Sequence, residues 1–497
     1  MFNLALSEAA RLANVITLGA ANRLTDEEFI VNEINQFKMS RKRKEMLDGE
    51  KYYEGKHDIL LRKRTVIGEG GELEEVTNLP NNKIVDNQYK KMVDQKNNYL
   101  LGQPFSIQCE NEQYAKNLKQ HVFNKKFFRL LKAIGEDFLN CGIAWAFAYY
   151  NEHGELTFRR IKPYEVIAGW KDAEHTQLDY IIRIYEVIAY EGKQQKVIQK
   201  VEVCDEQGMY FYELTDGGTL QSVEPYFRNY FTITDEDGTE TGYNWTKIPF
   251  IPFKYNAKEI PLIRMVKSLQ DGLNLIESNF QNNMEEDTRN TIIVLKNYDG
   301  QKLADFRKNL AQYGAVKVKT VDGADGGVDT LQIEVNAENY KAIIELFKKA
   351  IIENALCYDA KDDRLKGNPN QMNIQSMYSD IDLDANNIET ELQASFEDLL
   401  WFINCHFANT GIGDFEGEEV EFIFNRDMLV SESEIIENVN KSTDLSLETR
   451  LAQHPWVDDV GAEMDRISKE RDEAMEQYGD AFNNVPNAAE DDIEGDE

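Results

Sequence analysis

Cysteine is scarce and unpatterned in this chain. Cys109, Cys141, Cys204, Cys357 and Cys405 form no C-x-x-C pair and keep no regular spacing, which argues against a disulfide framework or a thiolate zinc site. They read as buried free thiols in a reducing compartment. Proline and glycine are not enriched, at 10 and 30 of 497 residues, so neither a fibre nor a low-complexity scaffold is indicated. No run reaches the ~18–20 uninterrupted apolar residues that cross a bilayer. Residues 1–22 are mildly apolar but lack a basic start, and Glu8 and Arg11 interrupt them. They are not read as a secretory leader, and the chain is expected to stay soluble and intracellular while it is made, with no membrane partner.

Positive charge is the largest deficit: 55 Lys and Arg face 89 Asp and Glu, for a net charge of −34. The run Glu490 to Glu497 holds six acids and no base, leaving −28 on the remainder, so the acidity is spread over the body. A protein that grips nucleic acid tightly presents a basic face, because phosphate neutralisation supplies most non-specific affinity. The charge therefore excludes a conventional DNA binder. It does not exclude a surface past which DNA slides.

Catalytic signatures are also missing. There is no H-E-x-x-H, no G-x-S-x-G and no complete G-x-x-x-x-G-K-[ST]. The nearest approach, Gly49 to His57, has one spacer too many and His57 where the hydroxyl belongs. Asp235-Glu236-Asp237-Gly238 and the Asp322 to Asp329 stretch miss the alternating ligand spacing of an EF-hand and read as turns. Six histidines lie far apart, and pairs such as Asp362-Asp363 or Asp458-Asp459 read as surface or helix-start acids. No enzyme activity, metal or cofactor is expected.

What is present is a folded composition, 42% hydrophobic and 11% aromatic, long enough for two or more packed units. Thr25-Asp26-Glu27-Glu28 has capping-box form and opens a helix carrying Phe29, Ile30, Ile34, Phe37 and Met46. Helices are expected at about 83–101 and 127–140. Short alternating runs at 144–150, 156–161, 180–190, 200–203, 209–214 and 248–255 read as strands. Pro261 starts a long amphipathic helix whose apolar residues, Leu262, Val266, Leu269, Leu273, Ile276, Phe280 and Met284, step by three or four. Lys267, Gln270, Asp271, Asn274, Glu277 and Asn282 lie between them as a polar stripe. A small α/β insert follows, with strands at 291–295, 315–319 and 331–335 and a helix at 302–313. Asn336 caps a helix ending near Tyr358. A polar loop, a very long helix to about Phe407, a strand at 420–424 and helices near 432–440, 446–453 and 456–478 complete an α+β, helix-rich chain.

The order helix, α/β insert, helix, polar loop, very long helix resembles the core of tailed-bacteriophage portal proteins. Four stretches sharpen the resemblance toward the portal family typical of phages of Gram-positive hosts. They are Tyr52-Tyr53-Glu54-Gly55-Lys56-His57-Asp58-Ile59; Asn82-Lys83-Ile84-Val85-Asp86-Asn87, continuing to Tyr99-Leu100-Leu101-Gly102-Gln103-Pro104; Ile248-Pro249-Phe250-Ile251-Pro252-Phe253; and Ser446-Leu447-Glu448-Thr449 with His454-Pro455-Trp456-Val457-Asp458-Asp459. The resemblance covers about 25–478.

It implies a homo-oligomeric ring, usually of about twelve subunits, at one capsid vertex of the virion, assembled in the host cytoplasm. The ring would form the channel for packaging and ejection of double-stranded DNA. Carried over by segment, residues 25–260 are the wing, 261–288 and 336–358 the stem helices, 289–335 the clip and 359–371 the tunnel loop. Residues 372–430 become the spine helix and wing return, 431–479 the crown, and 1–24 and the acidic, disordered 480–497 lie outside. The DNA-facing tunnel loop would hold Asp359, Lys361, Asp362, Asp363, Arg364, Lys366 and Asn368. The stem polar face would comprise Lys267, Asp271, Asn274 and Glu277, turned to the lumen or solvent. Asp305, Arg307, Lys308, Asp322 and Asp325 of the clip would dock partners. Implied partners are the terminase large subunit, a scaffold or major capsid protein, and head-completion or connector proteins. An acidic lumen would repel phosphates and leave DNA centred. Alternatives are another ring-forming head–tail adaptor or virion protein without a channel role, an enzyme of unrecognised class, or an acidic scaffolding protein.

Overall fold

The computed structural model describes residues 25–67, 71–77, 79–234, 237–287, 291–296, 327–332, 337–359, 371–426, 432–452, 454, 456–457, 460–461 and 463–471. The chain forms two compact units, Met1–Asp359 with Asp380–Asp427, and Ala360–Ser379 with Met428–Glu497.

The first unit opens with α1 (Asp26–Met39), closed by the expected capping box between Thr25 and Glu28. The helical periodicity through Met46 does not make one helix. Ser40 takes an extended conformation, its hydroxyl accepts from Arg43 N, and α2 (Arg41–Tyr53) starts afresh. After a 3₁₀ turn at Asp58–Leu61 and the hairpin β1 (Thr65–Ile67) and β2 (Leu73–Glu75), α3 spans Gln88–Leu101. Residues 83–87, expected in this helix, precede it; Asn87 is its cap. Strand β3 (Ser106–Gln108), α4 (Glu112–His121) and α5 (Lys125–Cys141) follow.

Two antiparallel sheets carry the strand-rich middle. In the first, β4 (Ile143–Tyr150) lies between β5 (Leu156–Ile161) and β13 (Phe250–Lys254). Pro252 is tolerated because β13 is an edge strand with one neighbour. The second is a meander of β6 (Val166–Trp170), β7 (Leu178–Glu191), β8 (Gln194–Asp205), β9 (Gly208–Leu214) and β10 (Leu220–Arg228). Successive side chains of a strand point to opposite faces, and both faces of β7 are covered near its start. Ile181 packs with Trp145, Trp170 and Phe250, while Ile182 and Ile184 pack with Ile30 and Ile34 of α1. Strands β11 (Phe231–Thr234) and β12 (Glu240–Tyr243) form a separate hairpin. The alternating runs of the sequence give no strand at β1, β2, β3, β6, β10, β11 or β12.

The long helix α6 (Ile263–Asp287) leads through the antiparallel pair β14 (Thr291–Lys296) and β15 (Gly327–Gln332) to α7 (Ala337–Asn354). The expected helix at 302–313 and strand at 315–319 lie outside the described residues. Helix α8 (Gln371–Thr410) is the longest, and β16 (Glu421–Ile423) returns to pair with β3. Phe105 of the first unit sits among Phe123, Phe396 and Phe422, with ring centroids 5.2 Å from each. The second unit holds α9 (Glu432–Lys441) and α10 (Leu447–Ala452), then helical residues between 460 and 471.

The mixture of helix and strand fits the α+β expectation.

Candidate functional site

Helices α6 and α7 run antiparallel. Phe280 meets Tyr340 at 5.0 Å between ring centroids, and Gly272 lets Phe347 approach: a Cβ there would stand 2.8 Å from the Phe347 ring. Asn283 Nδ2 donates to Tyr340 Oη at 2.8 Å.

Part of the polar stripe of α6 is turned inward. Gln270, Asn274, Ser278 and Asn282 are fully buried. Three accept a backbone N–H from the extended segment before α3, Asn82 N to Asn282 Oδ1 (2.7 Å), Ile84 N to Ser278 Oγ (2.9 Å) and Asp86 N to Asn274 Oδ1 (3.1 Å), and Gln270 Oε1 accepts from Tyr89 N in the first turn of α3 (3.0 Å). The geometry has a simple origin. Two extended residues advance ~6.6 Å and four helical residues ~6.0 Å, so amides at 82, 84 and 86 match acceptors at 282, 278 and 274. Gln270 Nε2 also donates to Asp86 O at 2.7 Å. The ladder satisfies an extended segment that pairs with no strand among the described residues.

His57 completes it. The ring is buried, Nε2 donates to Tyr52 O at 3.1 Å, and Nδ1 lies 2.8 Å from Asn274 Nδ2. One nitrogen donates and the other accepts, which is the neutral imidazole; burial pushes its pKa down, in agreement. Tyr52 stacks on His57 at 4.4 Å.

The four sequence-named residues of this helix separate into three settings. Lys267 contacts Asp271 (2.9 Å), Asp58 (2.5 Å) and the Tyr52 hydroxyl (2.8 Å), and Tyr52 Oη donates to Asp271. Glu277 meets Lys348 of α7 at 3.5 Å, and Lys348 holds Asp86 at 2.6 Å. Burial and the nearby Asp86 raise Glu277, whereas for Asp86 burial is outweighed by Lys348 and Gln88, and its pKa is lowered. Asn274 belongs to the buried ladder. Of the four residues expected to face the lumen or solvent, Asn274 is buried against the chain itself, while Lys267, Asp271 and Glu277 stay partly exposed and flank the amide and hydroxyl residues.

Of the loop residues, Asp359 is described, and Lys361, Asp362, Asp363, Arg364, Lys366 and Asn368 lie outside the described residues. Asp305, Arg307, Lys308, Asp322 and Asp325 lie outside them too. The chain leading to the loop is anchored by groups the sequence reading passed over. Lys96 Nζ, buried, reaches Leu356 O at 3.1 Å and Asp384 Oδ2 at 2.6 Å. Gln95 Nε2 donates to Tyr358 O at 3.0 Å, and Tyr255 Oη to Asp384 at 3.1 Å.

Among the described residues no group of His, Cys, Asp and Glu is placed to hold a metal, and no helix is long and apolar enough to cross a membrane.

The stretches at 52–59 and 82–87 therefore meet on α6. The family model described as "Phage portal protein, SPP1 Gp6-like" matches residues 35–477. The portal protein of Bacillus phage SPP1 is 27% identical over 456 residues, covering 91% of this chain and 88% of that protein. The portal protein of Clostridium phage phiCD119 is 26% identical over 458 residues, covering 89% and 96%. A solved structure described as "Neck of empty GTA particle computed with C6 symmetry" covers 73% of this chain and 89% of its own, with 9% identity and a TM-score of 0.39; that likeness is too slight to place individual elements. The chain is a structural protein of a bacteriophage. It belongs to the SPP1 Gp6-like family of phage portal proteins, a class of ring-forming head components that sit at the head vertex.

Proposed function

We propose that about twelve copies of this chain close into a ring whose axis is the channel for packaging and ejecting double-stranded DNA. The observation that carries this reading is the family match across residues 35–477. In the ring, α6 and α7 are the stem, with 289–335 as clip, 359–371 as tunnel loop, 25–260 as wing, 372–430 as spine and wing return, and 431–479 as crown. The clip is the docking platform for the terminase large subunit and for head-completion or connector proteins, and the wing meets scaffold or major capsid protein. The chain itself performs no chemical step; the ATP-driven motor is the terminase.

The surface supports association between copies. Ile343 and Leu346, one turn apart on α7, stay exposed, Leu346 by 66%. The far end of the β7–β8 hairpin leaves Val187, Ile188, Tyr190 and Val197 exposed as well. A head-to-tail contact that uses such faces closes into a ring when its rotation divides the circle. The polar ladder supports a load-carrying stem, because it joins α6 to residues 82–89 by directed bonds rather than by apolar contact alone.

A channel for DNA is helped by acidity: walls that repel phosphate keep the duplex centred and moving. Sedimentation of the purified chain tests the assembly. A single large species of about twelve subunits supports the reading; a monomer at micromolar concentration would refute it.

A further inference from the structure

A cleft of about 480 Å³ opens beside α6 and α7, lined by Arg62, Lys63, Arg64, Thr65, Asn279, Asn283 and Tyr340. Three of these are cations and none is a carboxylate, in a chain with 89 acids and 55 bases. Asn279 turns its amide oxygen to Arg62 Nη2 at 2.9 Å, which leaves its NH₂ group to donate. The Tyr340 hydroxyl accepts from Asn283 and keeps its own proton for another acceptor. Arg62 Nη1 is buried and has no hydrogen-bond partner among the described residues. An orphaned N–H on a charged group calls for a partner, which water or an anion can supply. Burial and the charge of Arg64 press Arg62 below its ordinary pKa range, and a bound anion would act in the opposite sense.

We propose that this cleft binds a phosphate group of the DNA backbone. Donors are drawn from three separate elements: cations and a hydroxyl from 62–65, amides from α6 and a phenol from α7. Such a set suits a tetrahedral phosphate better than a flat, two-oxygen carboxylate. The choice of DNA as the source rests on the proposed passage of the duplex. Nothing in the cleft reads a base, so the contact is independent of sequence. Lys63 already pairs with Glu75 at 2.8 Å and Arg64 is engaged as well, which tempers the local charge. The grip is therefore weak and exchangeable, as transit requires.

The test uses the full chain, wild type beside Arg62→Gln and Asn279→Asp. Asn279→Asp keeps the oxygen that accepts from Arg62 while adding a negative charge to the cleft, so it separates anion binding from folding. Each protein is titrated with inorganic phosphate by calorimetry and with a short labelled duplex by fluorescence anisotropy at low salt, with particle mass followed by light scattering. Saturable binding of both by wild type, weakened about tenfold in both variants, supports the assignment. Equal phosphate binding by all three proteins overturns it. Weakened phosphate binding with unchanged duplex binding means an adventitious ion only. A change in subunit number with unchanged duplex binding would assign the cleft to a carboxylate of a neighbouring copy; both results overturn the DNA assignment. The ring reading stands or falls separately, on the wild-type mass.

Discussion

His175 and Glu259 both hold left-handed backbone, at φ 58° and 54°, and meet through a 2.7 Å contact from His175 Nδ1 to Glu259 Oε1. The other carboxylate oxygen of Glu259 accepts from Lys42 of α2. His175 lies flat on Trp170, 4.8 Å between centroids and 3° between planes. Glu259 stands just before Pro261 and α6, so this junction ties the start of the long helix to α2 and to the β6–β7 turn. Two non-glycine residues in this conformation are costly, and they persist where the surroundings over-determine them.

Glu259 makes stability depend on acid pH. Burial would raise its pKa, but His175 and Lys42 outweigh burial and hold it down to about 2. Because this lies below the ordinary value of 4.5, the contribution is complete above about pH 4.5 and is lost as pH falls toward 2. Glu259→Gln should remove about 3 kcal/mol at neutral pH. Urea midpoints at pH 6 and pH 3 should differ less in the variant than in wild type; an equal difference would remove Glu259 from the account.

Gly142 is required by the same junction. Its φ is +84°, and a Cβ would stand 2.1 Å from the Glu259 carbonyl oxygen. Gly142→Ala should cost more than about 2 kcal/mol. Gly154, at φ +72° with nothing within 4 Å, is the control: Gly154→Ala carries the backbone strain alone, about 1 kcal/mol. Equal chemical denaturation of the two variants would show that the contact with Glu259 is not what matters.

The ladder should be visible in amide exchange. Ser278→Ala leaves Ile84 N–H without its acceptor, at a cost of about 1–2 kcal/mol. Asn274→Leu removes the acceptor of Asp86 N–H and the donor to His57 together, at about 2–4 kcal/mol. Hydrogen exchange across residues 82–89 should accelerate about tenfold or more in both variants. Unchanged protection there would mean that α6 does not hold this segment.

Lys96 and Asp384 should behave as a unit. Lys96→Met leaves a poorly solvated carboxylate beside Tyr255 and should cost about 3–5 kcal/mol, while adding Asp384→Leu should restore much of the loss. Denaturation of the singles and the double completes the cycle. Additive losses would show that the two groups act apart.

Local signals of the fold are legible in the chain. The Thr25–Glu28 capping box and the alternation through Ile181 and Ile182 need only neighbouring residues. The break at Ser40 is hidden because apolar spacing continues through it, and β6 escapes because Gly169 stands within so short a strand. Gln270, Asn274, Ser278 and Asn282 recur every fourth residue and so announce a helical stripe. Their direction is not readable locally: the Asp86–Asn274 partners lie 188 residues apart, and amides at that spacing are equally at home in water. Lys96 is opaque for the same reason, its acceptor Asp384 being 288 residues away.

Electron microscopy of the purified chain bears most directly on the central reading. Side-by-side copies around an open axis should appear as a rotationally symmetric annulus with a hole wide enough to pass a DNA duplex. A solid particle with no central opening would contradict it.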